Sequence, residues 1–228
     1  MFRYQGITLN ISKVYRFLDK LNNRHDQVEQ IAYKHTLNVL KGTVSIVFYD
    51  MTTLYFEASD EDDLCKTGFS KDGKHQQLQI YPGLAAGLGG YAIGYDIFEG
   101  NIFEGHTLIQ ILQKLEKKFN LMKPIVVADA GLLSNKKVQF LEHNKYEYII
   151  GARLKNENNA TKEKITNQTL KEEQYLIIKK QETTRLIVTY SNKRTKKDEH
   201  NRRCGLERLE KSIQSKKLTK SSINNRGL

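Results

Sequence analysis

The 228-residue chain has no tryptophan, two prolines and two cysteines. With so little proline, 15 glycines without a period and 39% hydrophobic residues, it is neither collagen-like nor wholly disordered. It has no run of about 18 or more apolar residues, which excludes a transmembrane helix. Residues 1–21 carry Arg, Lys and Asp throughout and have no continuous apolar stretch, so no secretory signal is expected. Cys65 and Cys204 are far apart with no CxxC spacing, which predicts reduced thiols rather than a disulfide framework.

Positive charge is abundant, and it is unevenly placed. The chain has 37 basic and 26 acidic residues, a net charge of +11. Residues 151–228 hold 20 basic and 9 acidic side chains, so the whole excess lies there, and residues 1–150 balance at 17 of each. Clusters such as Lys193-Arg194-Thr195-Lys196-Lys197 and Arg202-Arg203 suit a polyanion, because each neutralised phosphate releases counterions. A basic, merely solvated tail has the same composition.

Apolar periodicity predicts two helices within residues 11–40, the first carrying Val14, Phe17, Leu18 and Leu21 and the second Val28, Ile31, Ala32, His35 and Val39. Gly42 stops the second. Residues 44–50 are β-branched and aromatic and apolar on both faces, the pattern of a central strand covered on both sides. Residues 58–75 are polar, with the acidic run Asp60 to Asp63, and read as a loop; an ordinary solvated role competes there with a cation site. Residues 78–84 and 91–98 predict a hairpin across Gly87-Leu88-Gly89-Gly90. A helix over residues 106–119 with Thr107 as N-cap, a strand over 124–129, a helix from Ser134 to about 144 and a strand over 146–150 follow.

The resulting order, β-β-β-α-β-α-β, is that of the ribonuclease-H-like α/β fold. The predicted domains are a helical segment over 1–41, a core over 42–153 and a basic segment over 154–228. In the last, strands are expected at 175–179 and 185–190 and a helix at about 195–215. Few large apolar residues remain there, so no separate core is expected.

Asp50 and Asp129 each end an apolar strand, where a side chain emerges at a sheet edge. On neighbouring strands the two carboxylates would converge and repel unless a cation shared them. Oxygen ligands with no His or Cys nearby favour Mg²⁺ or Mn²⁺ over zinc. Capping the turns at the strand ends is the alternative role. His106, Glu99 and Glu104 are further polar candidates near a helix start, with capping and loop roles as alternatives.

Five stretches, in order, resemble the DDE transposases of bacterial insertion sequences, nearest to insertion-sequence family four. They are Tyr49-Asp50-Met51-Thr52-Thr53-Leu54-Tyr55-Phe56-Glu57, Gly94-Tyr95-Asp96-Ile97-Phe98-Glu99-Gly100-Asn101, Glu104-Gly105-His106-Thr107, Val126-Val127-Ala128-Asp129-Ala130-Gly131-Leu132-Leu133-Ser134 and Tyr146-Glu147-Tyr148-Ile149-Ile150-Gly151-Ala152-Arg153. The resemblance is unbroken from Val44 to Arg153 and looser over residues 193–227.

It implies a catalytic triad of two Asp and one Glu on a ribonuclease-H-like (retroviral-integrase-like) core, with Asp50 and Asp129 as the first two carboxylates and metal ligands. Two Mg²⁺ (or Mn²⁺) ions are implied in the complete enzyme, for strand cleavage and strand transfer at insertion-sequence ends. DNA, as element ends and target, is the implied partner. Arg153, Lys155, Lys193, Arg194, Lys196, Lys197, Arg202 and Arg203 are the implied DNA-contacting residues. A homodimer and a cytoplasmic, nucleoid-associated location follow from the same resemblance; a membrane or small-molecule partner does not.

The third carboxylate belongs to a Tyr-x2-Arg-x3-Glu-x6-Lys pattern that the sequence does not contain. Its nearest approach is Arg203-Cys204-Gly205-Leu206-Glu207, where Glu207 reads as a surface partner of Arg203. The chain is therefore expected to be a truncated or split transposase, inactive alone. A non-catalytic or inhibitory DNA-binding fragment and a non-functional remnant are the alternatives.

Overall fold

The computed structural model describes residues 10–70, 73–74, 76–102, 107–132 and 134–215. The chain divides into two compact units, Met1–Ala152 and Arg153–Leu228.

The first unit begins with α1 (Ile11–Asn22) and α2 (His25–Val39). Asn10 caps α1 by accepting from the Lys13 amide. After α2 the chain turns at Lys41 and Gly42, both at positive φ, and the Gly42 N–H reaches back to the Leu37 carbonyl at 2.7 Å. The strands are β1 (Ile46–Met51), β2 (Leu54–Phe56), β3 (Lys66–Thr67), β4 (Leu78–Ala86), β5 (Ala92–Glu99), β6 (Ile125–Ala128) and β7 (Tyr148–Ile150). Between β5 and β6 lies α3 (Thr107–Phe119), and between β6 and β7 lies α4 (Asn135–His143), capped by Ser134.

β1 is central. It pairs antiparallel with β4, Phe48 opposite Ala86 and Asp50 opposite Leu84, and parallel with β6, Phe48 opposite Val127. β5 pairs antiparallel with β4, and β7 parallel with β6. Five of the strands therefore run β5-β4-β1-β6-β7, a mixed sheet of the ribonuclease-H-like order. Two short strands depart from the expected pattern. β2 continues the line of β1 along one edge of β4, and β3 lies along the other edge, inside the stretch read as a loop. Thr107 proves to be the first residue of α3 rather than its cap, and His106 and Glu104 lie outside the described residues.

The core lies on one side of the sheet. Val47, Tyr49, Ala85, Ile93 and Val126 pack there with Tyr33 of α2, Leu108, Ile111, Leu112 and Leu115 of α3 and Leu141 of α4. The other face corrects the expectation of a doubly covered central strand. Phe48, Leu84, Ile97 and Ile149 all lie on it and are exposed, Phe48 by 41% and Ile149 by 65%.

An ion cluster fastens α2 and α3 to the edge strand. Buried Glu29 accepts from the Tyr95 amide at 3.1 Å and from Lys118, and lies 3.8 Å from Lys114. Lys114 donates to the Tyr95 carbonyl at 2.7 Å, so two helices satisfy both backbone groups of one β5 residue. Position 94 must be glycine for this approach, because a Cβ there would lie 2.7 Å from a Glu29 carboxylate oxygen.

The second unit contains α5 (Asn159–Thr166), β8 (Tyr175–Lys179), β9 (Arg185–Thr189) and α6 (Asn192–Gln214). Here too the structure corrects the sequence reading. Ile178, Leu186 and Val188 are buried and pack with Ile165, Leu170 and Leu176, a small core made possible by α5, which the sequence reading missed.

Replacing Glu29 with alanine leaves the Tyr95 amide without its acceptor and Lys118 with Asp26 alone, and removing one partner of a buried ion pair costs about 3–5 kcal/mol. A loss of that order is expected in urea unfolding followed by circular dichroism. A loss under about 1 kcal/mol would show that water replaces the carboxylate.

Candidate active site

The β-branched and aromatic run of β1 and the apolar run of β6 make neighbouring parallel strands, and their register fixes the carboxylates. Tyr49 stands opposite Ala128, so the next position on the two chains is Asp50 and Asp129. Adjacent strands lie about 4.8 Å apart, and residues of one rung share a face. Asp50 lies on the open face of the sheet, opposite Leu84, and Asp129 directly follows the C-terminal end of the neighbouring strand β6. Both residues are exposed.

Each carboxylate is held by its own backbone. Oδ1 of Asp50 accepts from the Met51 amide at 2.8 Å, and Oδ1 of Asp129 accepts from the Gly131 amide at 2.8 Å. The capping role considered from the sequence is thus present at both residues. Beneath them Tyr49 is buried, its ring lying where a side chain on Gly83 would go; a Cβ there would fall 2.5 Å from the Tyr49 oxygen. Thr107, at the start of α3, contacts the Met51 sulfur at 2.9 Å, which brings a helix N-terminus to this end of β1, where its dipole favours anions. Gly151 closes the far side. Its amide donates to the Ala128 carbonyl at 3.1 Å, and a Cβ would lie 2.7 Å from the Ala130 nitrogen.

Among the described residues no group of three or more His, Cys, Asp or Glu is placed to hold a metal. The acidic run Asp60 to Asp63 serves its own loop: Asp62 accepts from the Leu64 and Cys65 amides at 2.7 and 2.6 Å, and Glu61 from Thr67. The Cys65 and Leu64 amides hold the Asp62 carboxyl below its usual value. Glu99 is exposed at the end of β5.

The expected DNA-contacting residues all lie in the second unit, and all are exposed: Arg153 and Lys155 near its start, and Lys193, Arg194, Lys196, Lys197, Arg202 and Arg203 on α6. Arg194 pairs with Asp198 at 3.2 Å. Arg203 turns to His200 at 3.2 Å rather than to Glu207 as expected. Cys204 also meets His200, at 3.5 Å, one turn back. On α6, Lys193, Lys197, Arg208 and Lys211 fall on one side, opposite Leu206, Leu209 and Ile213. Arg208 and Lys211 were missed from the sequence, although their three- and four-residue steps continue the stripe.

Residues 45–222 match the family model of the transposase DDE domain. The chain belongs to that family. Among solved structures, the DDE chain is similar to the Mos1 transposase paired-end complex with left transposon end, at 14% identity over 65% of this chain and 45% of that one, TM-score 0.32. It is similar to the piggyBac transposase synaptic complex with hairpin DNA, at 14% identity over 66% of this chain and 31% of that one, TM-score 0.45. The Mos1 transposase catalytic domain with Raltegravir and Mn matches at 14% identity over 55% of this chain and 60% of that one, TM-score 0.31. The chain thus spans less than half the length of the first two. No curated protein matches it in sequence.

Gly151→Ala should displace the turn that carries Asp129, at a cost of about 1–3 kcal/mol for forcing a methyl against backbone. The expected result is a lower melting temperature together with a shifted Gly131 amide in a ¹⁵N–¹H correlation spectrum. An unshifted Gly131 signal would show that Gly151 does not support the Asp129 turn.

Proposed function

We propose that the chain is the core portion of a DNA transposase that cuts and joins strands at insertion-sequence ends, with Asp50 and Asp129 as two of its three catalytic carboxylates. The observation that supports this reading is the parallel pairing of β1 with β6 up to Tyr49 and Ala128, the residues just before Asp50 and Asp129, in a chain of the DDE family.

The donor set fits a hard divalent cation. It offers oxygen only, and two carboxylates on one rung repel each other unless a cation shares them. Asp50 and Asp129 would hold Mg²⁺ or Mn²⁺, which supplies Lewis-acid activation of the attacking and leaving oxygens in displacement at phosphorus. The backbone amides of Met51 and Gly131 fix one oxygen of each carboxylate and so orient the other. The exposed cations Arg153, Lys155, Lys193, Arg194, Lys196, Lys197, Arg202 and Arg203, with Arg208 and Lys211, bind phosphates and position a strand without reading its sequence. No protein nucleophile is needed. The partner is DNA, as element end and as target, and action at the bacterial nucleoid follows. Among the described residues no helix is long and apolar enough to cross a membrane.

Among the described residues no third acidic side chain groups with Asp50 and Asp129, and Glu207 stands exposed on α6 in the second unit. A second reading, a DNA-binding module without catalysis, is favoured by the basic stripe of α6, which needs neither aspartate.

The purified chain should bind duplex DNA with an affinity that falls as salt rises, log K against log salt sloping at about −0.9 per phosphate neutralised. Lys193→Glu with Lys197→Glu should flatten that slope by about two contacts. Absence of DNA binding at low salt would overturn the transposase role. With Mg²⁺ or Mn²⁺ the chain alone should not nick DNA; nicking abolished by Asp50→Ala would instead show that the site is complete without a third acid.

A further inference from the structure

Helix α6 carries a side-chain cluster that the aspartate chemistry does not use. His200 and Cys204 stand one turn apart on its surface, with the imidazole Nε2 3.5 Å from the Cys204 sulfur. Residues four apart on a helix lie one above the other, which is why the two side chains meet. Arg203 approaches the other ring nitrogen, its Nη2 3.2 Å from Nδ1. A guanidinium only donates, so Nδ1 accepts there and Nε2 carries the ring proton toward the sulfur. Cys204 is a free thiol, half-buried, and His200 and Arg203 are exposed, so the cluster is open to solvent.

We propose that His200 and Cys204 form a Zn²⁺ site on α6, with Nε2 and Sγ as its two protein ligands. The separation fits one ion. A tetrahedral zinc about 2.3 Å from sulfur and about 2.0–2.1 Å from nitrogen holds those two atoms about 3.5–3.6 Å apart. The ligand types agree, since thiolate with imidazole selects zinc, whereas oxygen alone, as at Asp50 and Asp129, suits a harder ion. Positions i and i+4 on one helix face are also the spacing at which paired histidines hold zinc. Water fills the remaining positions, because among the described residues no third ligand groups with the pair.

Binding moves two protons and one side chain. The thiol gives up its proton to water, and the ring proton passes from Nε2 to Nδ1, since the metal takes the Nε2 lone pair. Nδ1 then no longer accepts, so the Arg203 guanidinium must turn away. Arg203 therefore opposes the metal twice, as a donor that holds the wrong tautomer and as a like charge beside the ion. The proposal stands apart from the transposase reading, since it needs neither DNA nor the aspartates.

The test is titration of the full chain with Co²⁺, an optical stand-in for zinc, in a phosphine reductant that keeps both thiols reduced. The wild type should develop a thiolate-to-cobalt charge-transfer band that saturates at one ion per chain and is displaced by Zn²⁺. Cobalt held by Asp50 and Asp129 gives no such band, because those ligands are oxygen. Cys204→Ser should abolish the band. His200→Gln should weaken binding by at least about tenfold, the least that losing even an outer partner of a ligand costs. Arg203→Ala should bind cobalt severalfold more tightly, and Cys65→Ser should change nothing. The α6 variants should keep the wild-type circular dichroism spectrum, because this helix buries none of its residues. A wild type with no charge-transfer band at submillimolar cobalt would overturn the proposal. So would a band lost with Cys65→Ser and kept with Cys204→Ser, binding indifferent to His200→Gln, or binding weakened by Arg203→Ala. Saturation at one ion per two chains would overturn it too, since a second copy would then complete the coordination. Loss of DNA binding in a chain that still binds cobalt would count against the transposase reading alone.

Discussion

The register of β1 between an antiparallel and a parallel neighbour is the constraint on which the rest depends. Side chains alternate along a strand, so a slip of one residue would exchange its two faces. Here Val47 and Tyr49 face the helices, while Phe48 and Asp50 face away. The parallel bond to β6 cannot be made by a hairpin, so the chain must cross over, and α3 is the crossover. Its apolar face, Leu108, Ile111, Leu112 and Leu115, then packs into the core against the sheet. One pairing choice therefore sets the helix packing and the side on which Asp50 emerges.

The sheet is managed unequally at its edges and faces. An unpaired edge strand is a template for association, and proteins blunt such edges with charge or cover. On β5 this falls to Glu29 and Lys114, which occupy the amide and carbonyl of Tyr95 from two different helices. The price is a buried carboxylate, made tolerable because Lys118, Lys114 and an amide surround it. Across the sheet there is no such closure. Parallel strands are normally covered on both faces, so an apolar surface running from Phe48 to Ile149 on the carboxylate side is a surface built to be covered.

Elements fixed by local chemistry were legible in the sequence. The β-branched run at β1, the apolar run before Asp129 and the Ser134 cap each announced themselves. Elements decided at long range were not. β2 and β3 are three and two residues long, and their pairing with β4 does not leave a period in polar surroundings. Face coverage was also hidden, because residues 44–50 are apolar on both sides whether or not a second layer is present. α5 was missed for a similar reason: its apolar contribution to packing is little more than Ile165, and the strand pair it covers supplies the rest of the small core.

The division of charge along the chain has a physical logic beyond solubility. Residues 1–150 balance, and several of their cations are committed to ion pairs: Lys114 and Lys118 on Glu29, Lys118 on Asp26, Lys66 on Glu61. Cations so engaged stabilise the fold and are not available to meet a polyanion. A surplus of lysine around a carboxylate rung would also compete with any divalent cation for the same oxygens. The whole excess of +11 lies instead in residues 151–228, where under the proposed function it would meet phosphates. Under the proposed function, the neutral core and the basic extension would serve two ligands of opposite charge, a divalent cation and DNA.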